Sequence, residues 1–157
     1  MTDIALVSNT PNIQVVAQIA EGMKKITRSL RLEREGVEVC QRDLVELAHS
    51  VKDRMKAEMQ PINEEETISA ISWIVGHFDT SNAEQAANRI QTCIAEIVGG
   101  GFSRIAVVNA AREIVKTHKW FPAVNEVVQE VEKQQKIAEA QSTLITALTK
   151  REPKQLN

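Results

Sequence analysis

Apolar residues recur at every seventh position from Val16 to Val51, at Val16, Met23, Leu30, Val37, Leu44 and Val51. A second row three residues on reads Ile19, Ile26, Glu33, Cys40, Leu47 and Arg54, apolar or Cys at four of its six positions. A sustained seven-residue period is the pattern of a helix that needs a partner along its length. Thr10 can cap such a helix and Pro11 fits its first turn. No Pro follows until Pro61, so the spacing predicts one helix over residues 11–59, roughly 65 to 70 Å long at ~1.5 Å per residue. Gly22 and Gly36 each cost it about 1 kcal/mol relative to Ala. Together with Ser29 and Ser50 they let two helices approach closely. A break at Arg34-Glu35-Gly36 is the competing arrangement, giving an antiparallel pair of helices or a short Val37-Glu38-Val39 strand. The row keeps its phase on both sides of Gly36, which favours one continuous helix. The expected role is self-association into a homo-oligomer through Val16, Ile19, Met23, Ile26, Leu30, Val37, Cys40, Leu44, Leu47 and Val51.

The pattern changes after Gln60-Pro61, where Pro disfavours helix at the preceding residue. Asn63 with Glu66 forms a capping box, followed by an apolar face of Ile68, Ile71, Ile74 or Val75, and Phe78. Ser81 with Glu84 repeats the box and opens a helix with Ala83, Ala87, Ile90, Cys93 or Ile94, and Ile97 on its face, stopped by Gly99-Gly100-Gly101. A third helix from about Ser103 presents Ile105, Val108, Ala111 and Val115 and ends near His118. Pro122 opens a fourth with Val124, Val127 and Val131, whose row fails at Gln134 and Gln141 and resumes at Ile145 and Leu148. The expected fold is all-α: a long N-terminal coiled-coil helix followed by a small four-helix bundle. Its segments are a flexible leader (1–10), the coiled-coil helix (11–59), a compact helical domain (60–135) and a helical extension with a flexible tail (136–157).

Composition supports that division. The two Trp and three Phe all fall between residues 73 and 121, where large side chains can close a compact core. A formal charge of −2 argues against coating nucleic acid by electrostatics alone and leaves room for a local basic face. Cys40 and Cys93 have neither CxxC nor metal-ligand spacing and read as buried reduced thiols. The residues from Met1 to Val7 have no basic leader and too short an apolar run for a secretory signal. No stretch approaches the ~18 apolar residues of a membrane span, so a soluble, cytoplasmic protein is expected.

No catalytic constellation is legible, and the chain calls for no cofactor or metal. Gly99-Gly100-Gly101 follows a helix and lacks the Lys-Ser/Thr of a phosphate loop. His49 falls on the outer face of the heptad helix, while His77 and His118 fall near helix C-termini, where the dipole favours them. Lys24, Lys25, Arg28 and Arg31 read as a solvated face, neutralised by Glu33, Glu35 and Glu38. Arg112, Lys116 and Lys119, spaced i, i+4, i+7 with Trp120 adjacent, are the better basic candidate. Such a set can track a phosphate backbone and stack on a base, or contact a protein partner. The alternative is that Trp120 belongs to the core and the cations merely line the surface.

From Thr67 to about Lys133 the order of features is familiar: a capped helix ending in Phe78, an Ala-rich helix, a helix with Ala110-Ala111-Arg112, then Lys119-Trp120-Phe121-Pro122-Ala123-Val124-Asn125-Glu126-Val127. This segment resembles the small helical domain of phage proteins whose motif is an aromatic, Pro, a small residue, two further residues, Glu and an aliphatic. Phage replicative-helicase loaders and inhibitors are among them. Asn125 departs from the small residue usual before the Glu, and the heptad segment lies outside the resemblance. The resemblance implies a non-enzymatic phage or prophage adaptor in the cytoplasm of a bacterial host cell. Its implied partner is a replication protein such as a replicative helicase. Single-stranded nucleic-acid binding and a purely structural helical protein are the alternatives.

Overall fold

A computed structural model describes residues 13–78 and 83–151. The leader (1–10), the cap expected at Thr10 and Pro11, the cap expected at Ser81 and the tail from Glu152 to Asn157 lie outside the described residues. The described chain is all-helical: α1 (Ile13–Arg34), α2 (Gln41–Glu58), α3 (Glu64–Val75), α4 (Ala83–Gly99), α5 (Arg104–Thr117) and α6 (Val124–Thr149). None of these helices is long and apolar enough to cross a membrane.

The single helix expected over 11–59 is instead two, α1 and α2, joined by a short connection through Gly36. Local chemistry explains the break. Gly36 takes φ +82°, a left-handed conformation that side chains with a Cβ resist. Its N–H donates to Glu33 O at 3.0 Å, and the next N–H, of Val37, donates to Leu32 O at 2.9 Å. This pair of bonds closes the last carbonyls of α1 as a Schellman cap. Replacing Gly36 by Ala should therefore destabilise the protein by about 1 kcal/mol, read as a lower urea midpoint with an unchanged slope.

Gly22 serves a different purpose. A Cβ built there would lie 2.5 Å from Val51 Cγ2, so the missing side chain is what lets α1 and α2 pack closely. The close helix approach expected at Gly22 therefore occurs, within one chain.

The heptad row finds its partners inside the molecule. Val16, Ile19, Met23 and Ile26 of α1 share a core with Leu44, Ala48, Val51 and Met55 of α2, Ile105 and Val108 of α5, and Ala138, Ile145 and Leu148 of α6. Leu30 and Leu47 are half-buried against it. Two members of the expected seam are corrected outright: Val37 is 48% exposed and Cys40 is exposed, because both sit in the connection rather than on a helix face. A second core joins α3, α4, α5 and the first half of α6 through Ile71, Ile74, Cys93, Ile97, Ile114, Val127 and Val131, among others. Helix α5 faces both cores, which is why Ile105, Ala106, Val107 and Val108 are buried consecutively. The long helix of this fold is α6, 26 residues, and it runs from one core to the other.

Polar contacts fix the joints. The capping box at α3 forms as expected: Glu66 N donates to Asn63 Oδ1 at 2.8 Å, and Asn63 N donates to Glu66 Oε1 at 3.3 Å. The segment before α3 and the start of α5 hold each other through Ile62 N to Phe102 O, 2.8 Å, and Arg104 N to Gln60 O, 3.0 Å. Ser103 caps α5, and both its N–H (2.9 Å) and its hydroxyl (2.8 Å) donate to Gln135 Oε1 of α6. At the far end Arg151 Nη1 donates to Glu33 at 3.3 and 3.4 Å and also to Gln41 Oε1, clasping the turn between α1 and α2.

Candidate functional site

The connection between α5 and α6 sorts two adjacent aromatics to opposite sides. Phe121 is 8% exposed, edge-on to Phe78 at 6.2 Å between centroids. Arg89 lies over its ring at 5.9 Å and donates to its carbonyl at 3.0 Å. With Phe121 and Pro122 buried, the preceding residue is turned out. Trp120 is 65% exposed, the highest value among the exposed large apolar side chains described. Lys119 Nζ stands 5.6 Å from its centroid, a cation–π contact that keeps positive charge against the ring. Lys116 is exposed and Arg112 half-buried, one helical turn apart on α5. The expected set thus divides into a Lys119–Trp120 contact and an Arg112–Lys116 pair leading up to it, with Trp120 outside the core.

Beside this face, His118 ends α5 by donating its backbone N–H to Ile114 O at 3.0 Å, and its Nε2 lies 3.3 Å from Glu126 Oε2. Thr117 Oγ1 is 3.1 Å from His118 Nδ1 but donates to Glu113 O at 2.8 Å. A hydroxyl returned to its own helix is a closing contact rather than an armed nucleophile. His77 Nδ1 lies 2.7 Å from Trp73 O at the end of α3, and His49 is exposed on α2. Among the described residues no group of three or more His, Cys, Asp or Glu could hold a metal ion. Cys93 is fully buried, and burial pushes its thiol up to about 11 against a smaller opposing pull from Arg89. It therefore stays protonated and inert at neutral pH.

A buried acidic joint lies where α2 ends and α3 and α5 begin. Glu58 is 7% exposed and its Oε2 has no hydrogen-bond partner among the described residues. Arg104 Nε is 2.6 Å from Glu66 Oε2, a charge contact without hydrogen-bond alignment, while Arg104 Nη1 donates to Ala57 O at 3.1 Å. Burial raises the Glu58 carboxyl above its ordinary 4.5; Arg104 pulls it down and Glu66 adds to the rise. Three separate elements assemble this joint, and no local sequence signal announces it. The folded state holds the Glu58 proton over a pH window in which the unfolded chain has released it, so this group's contribution to stability falls as pH rises from 4.5. Glu58→Gln should raise stability at pH 7.5 by about 1 kcal/mol, with the advantage shrinking toward pH 4.5. Paired urea titrations at the two pH values check this, and a variant less stable than the parent at pH 7.5 would contradict it.

Grooves open on the surface among the described residues. One of about 570 Å³ between α3 and α4 is lined by Ile68, Ile94, Ala95 and Val98, with Glu64 and Gln91. Another, about 430 Å³ between α2 and α6, mixes Lys52 and Lys56 with Asp53. A further one, about 360 Å³, lies between α1 and α6 and carries Lys24, Arg28 and Arg31, with no carboxylate among the described residues that line it. The acids expected to neutralise these cations are occupied or displaced: Glu33 is held by Arg151, while Glu35 and Glu38 lie past the end of α1. Comparisons of the chain with protein-family models, curated proteins and solved structures give no significant match.

Proposed function

We propose that this protein is a non-enzymatic adaptor of phage or prophage DNA replication. It would act in the cytoplasm of a bacterial host and dock on a replication protein such as a replicative helicase. The observation that carries the reading is Trp120, 65% exposed and backed by Lys119 at 5.6 Å. An outward Trp flanked by cations is the kind of anchor that dominates protein interfaces. The resemblance of residues 67–133 to the phage domain supplies the replication context, and the motif residues Phe121, Pro122 and Val127 are buried. They act as the mount and Trp120 as the contact. The expected homo-oligomer is not part of this reading, because Val16, Ile19, Met23, Ile26, Leu44 and Val51 are already covered within one chain.

Binding of the full chain to a purified bacterial replicative helicase, followed by sedimentation velocity, tests the reading. Trp120→Ala should weaken the complex at least ~10-fold, about 1.4 kcal/mol, with the free protein sedimenting as a 17.5 kDa monomer. An undiminished complex with the variant, or no complex with the parent, overturns it.

A second reading, single-stranded nucleic-acid binding, is favoured by the Arg112–Lys116 pair leading to Lys119 and Trp120. It requires retention of labelled oligo(dT) at 50 mM salt that falls steeply by 200 mM. Absence of a complex at the lower salt disposes of it.

A further inference from the structure

Helix α2 packs closely against both α1 and α6, while α1 and α6 stand farther apart and leave a cleft of about 360 Å³. Position 141 belongs to the apolar row of α6 that supplies Ala138, Ile145 and Leu148 to the core. Gln141 occupies it, and it is the α6 residue that lines the cleft. The α1 wall presents Lys24, Arg28 and Arg31, all exposed, above Met23, which is 5% exposed. These cations recur at i, i+4 and i+7 and so share one side of the helix over about 10 Å. Among the described residues none of the three makes an ion pair, the ion pairs there being Arg104–Glu66, His118–Glu126 and Arg151–Glu33. Glu21, exposed one turn before Lys24, does not line the cleft. On α6, Ile137 and Leu144 flank Gln141 at helical spacing and are 39% and 37% exposed.

We infer that this cleft is a second docking surface, separate from the Trp120 edge, and that it takes an acidic amphipathic helix of a partner protein. Charge complementarity selects the sign, since among the described residues the lining holds three cations and no carboxylate. The helix form follows from the pairing of a straight cation row with an apolar edge. A helix lying along α1 can set carboxylates at the same i, i+4, i+7 interval against Lys24, Arg28 and Arg31. Its apolar face then rests on Ile137 and Leu144. A nucleic-acid strand matches less of the surface: no aromatic lines the cleft for a base to stack on, and the apolar edge would stay uncovered. An anionic bilayer presents a flat face to cations that here border a concavity.

The test uses the full-length protein and a fluorescein-labelled 21-residue peptide of Leu and Glu, with Glu at i, i+4, i+7 on one face and Leu on the other. Fluorescence anisotropy should show saturable binding. Lys24→Glu combined with Arg28→Glu should weaken it at least ~10-fold, whereas Trp120→Ala should change it less than ~2-fold. In the unmodified protein, the Met23 ε-methyl NMR signal should shift on titration, a readout that does not depend on any variant folding. The inference is overturned if the peptide does not bind, if the double variant binds it undiminished, or if the Met23 signal does not move. It is equally overturned if oligo(dT) or phosphatidylglycerol vesicles bind in a way that the double variant abolishes while the peptide does not bind.

Discussion

Replacing Ile145 by Ala should lower stability by about 3 kcal/mol and the melting temperature by roughly 6 to 12 °C, the largest loss expected from a single truncation on α6. Ile145 is fully buried in the core that α1 and α2 share with the second half of α6. Removing its outer carbons leaves a void between rigid helices that cannot close in without shifting α2. Leu144, the preceding residue, is 37% exposed, and Leu144→Ala should fall within about 0.5 kcal/mol of the parent. Thermal and urea denaturation of the two variants side by side checks the claim that the far half of α6 belongs to the core. Equal, small effects would refute it.

The second large effect is expected from the opposite change, an added side chain. Gly22→Leu puts four carbons where a single Cβ would already lie 2.5 Å from Val51 Cγ2. The γ-methyl of a Val in a packed helix has no long torsion through which to withdraw, so α1 must move off α2. Overpacking of this kind costs about 3 kcal/mol, against a helix-propensity gain of under about 1 kcal/mol. Gly22→Leu combined with Val51→Ala should recover part of the loss, because the Val51 methyl groups are the obstruction. A stable Gly22→Leu protein, or no recovery in the double variant, would show that the helices do not meet there. The measurement is again the urea midpoint, with near-ultraviolet circular dichroism to register loosened packing.

The helices themselves were legible in the sequence wherever caps and periodicity are local matters. Asn63 with Glu66, Ser103 and the stop at Gly99 mark boundaries the structure keeps. The turn at Gly36 was hidden by one row of residues that holds its phase from Val16 to Val51 across a change of direction. The second row carried the missing sign. In α1 the companions of Val16 and Met23 lie three residues on, at Ile19 and Ile26; in α2 those of Leu44 and Val51 lie four on, at Ala48 and Met55. Leu47 and Arg54 continue the spacing of a straight helix, but Ala48 and Met55 are the apolar pair that the α2 face uses. Along α6 the apolar row is interrupted at Gln134 and Gln141, and a polar residue in such a row looks like an ending. Gln141 proves to face a cleft instead.

The candidate site was half legible. The adjacency of Lys119 and Trp120 is a sequence fact, but which of two neighbouring aromatics turns inward depends on Phe78 and Arg89, more than 30 residues away. The cations of α1 read as neutralised because Glu33, Glu35 and Glu38 follow them in the chain. Proximity in sequence gave the wrong partners there: Glu33 is taken by Arg151, 118 residues distant.

The sharing of one core between the α1–α2 hairpin and the far half of α6 imposes an order on folding as the chain is synthesised. The hairpin leaves the ribosome about 90 residues ahead of Ile145, which at ~5 to 20 residues per second is a delay of roughly 5 to 20 s. Throughout that interval the core around Val16, Ile19, Val51 and Met55 lacks its α6 members Ala138, Ile145 and Leu148 and stays incompletely covered. Chaperone capture and misassembly both find their opportunity there. Slowing translation between Glu64 and Leu148, after the hairpin is made, should lower the soluble yield more than the same slowing within α1.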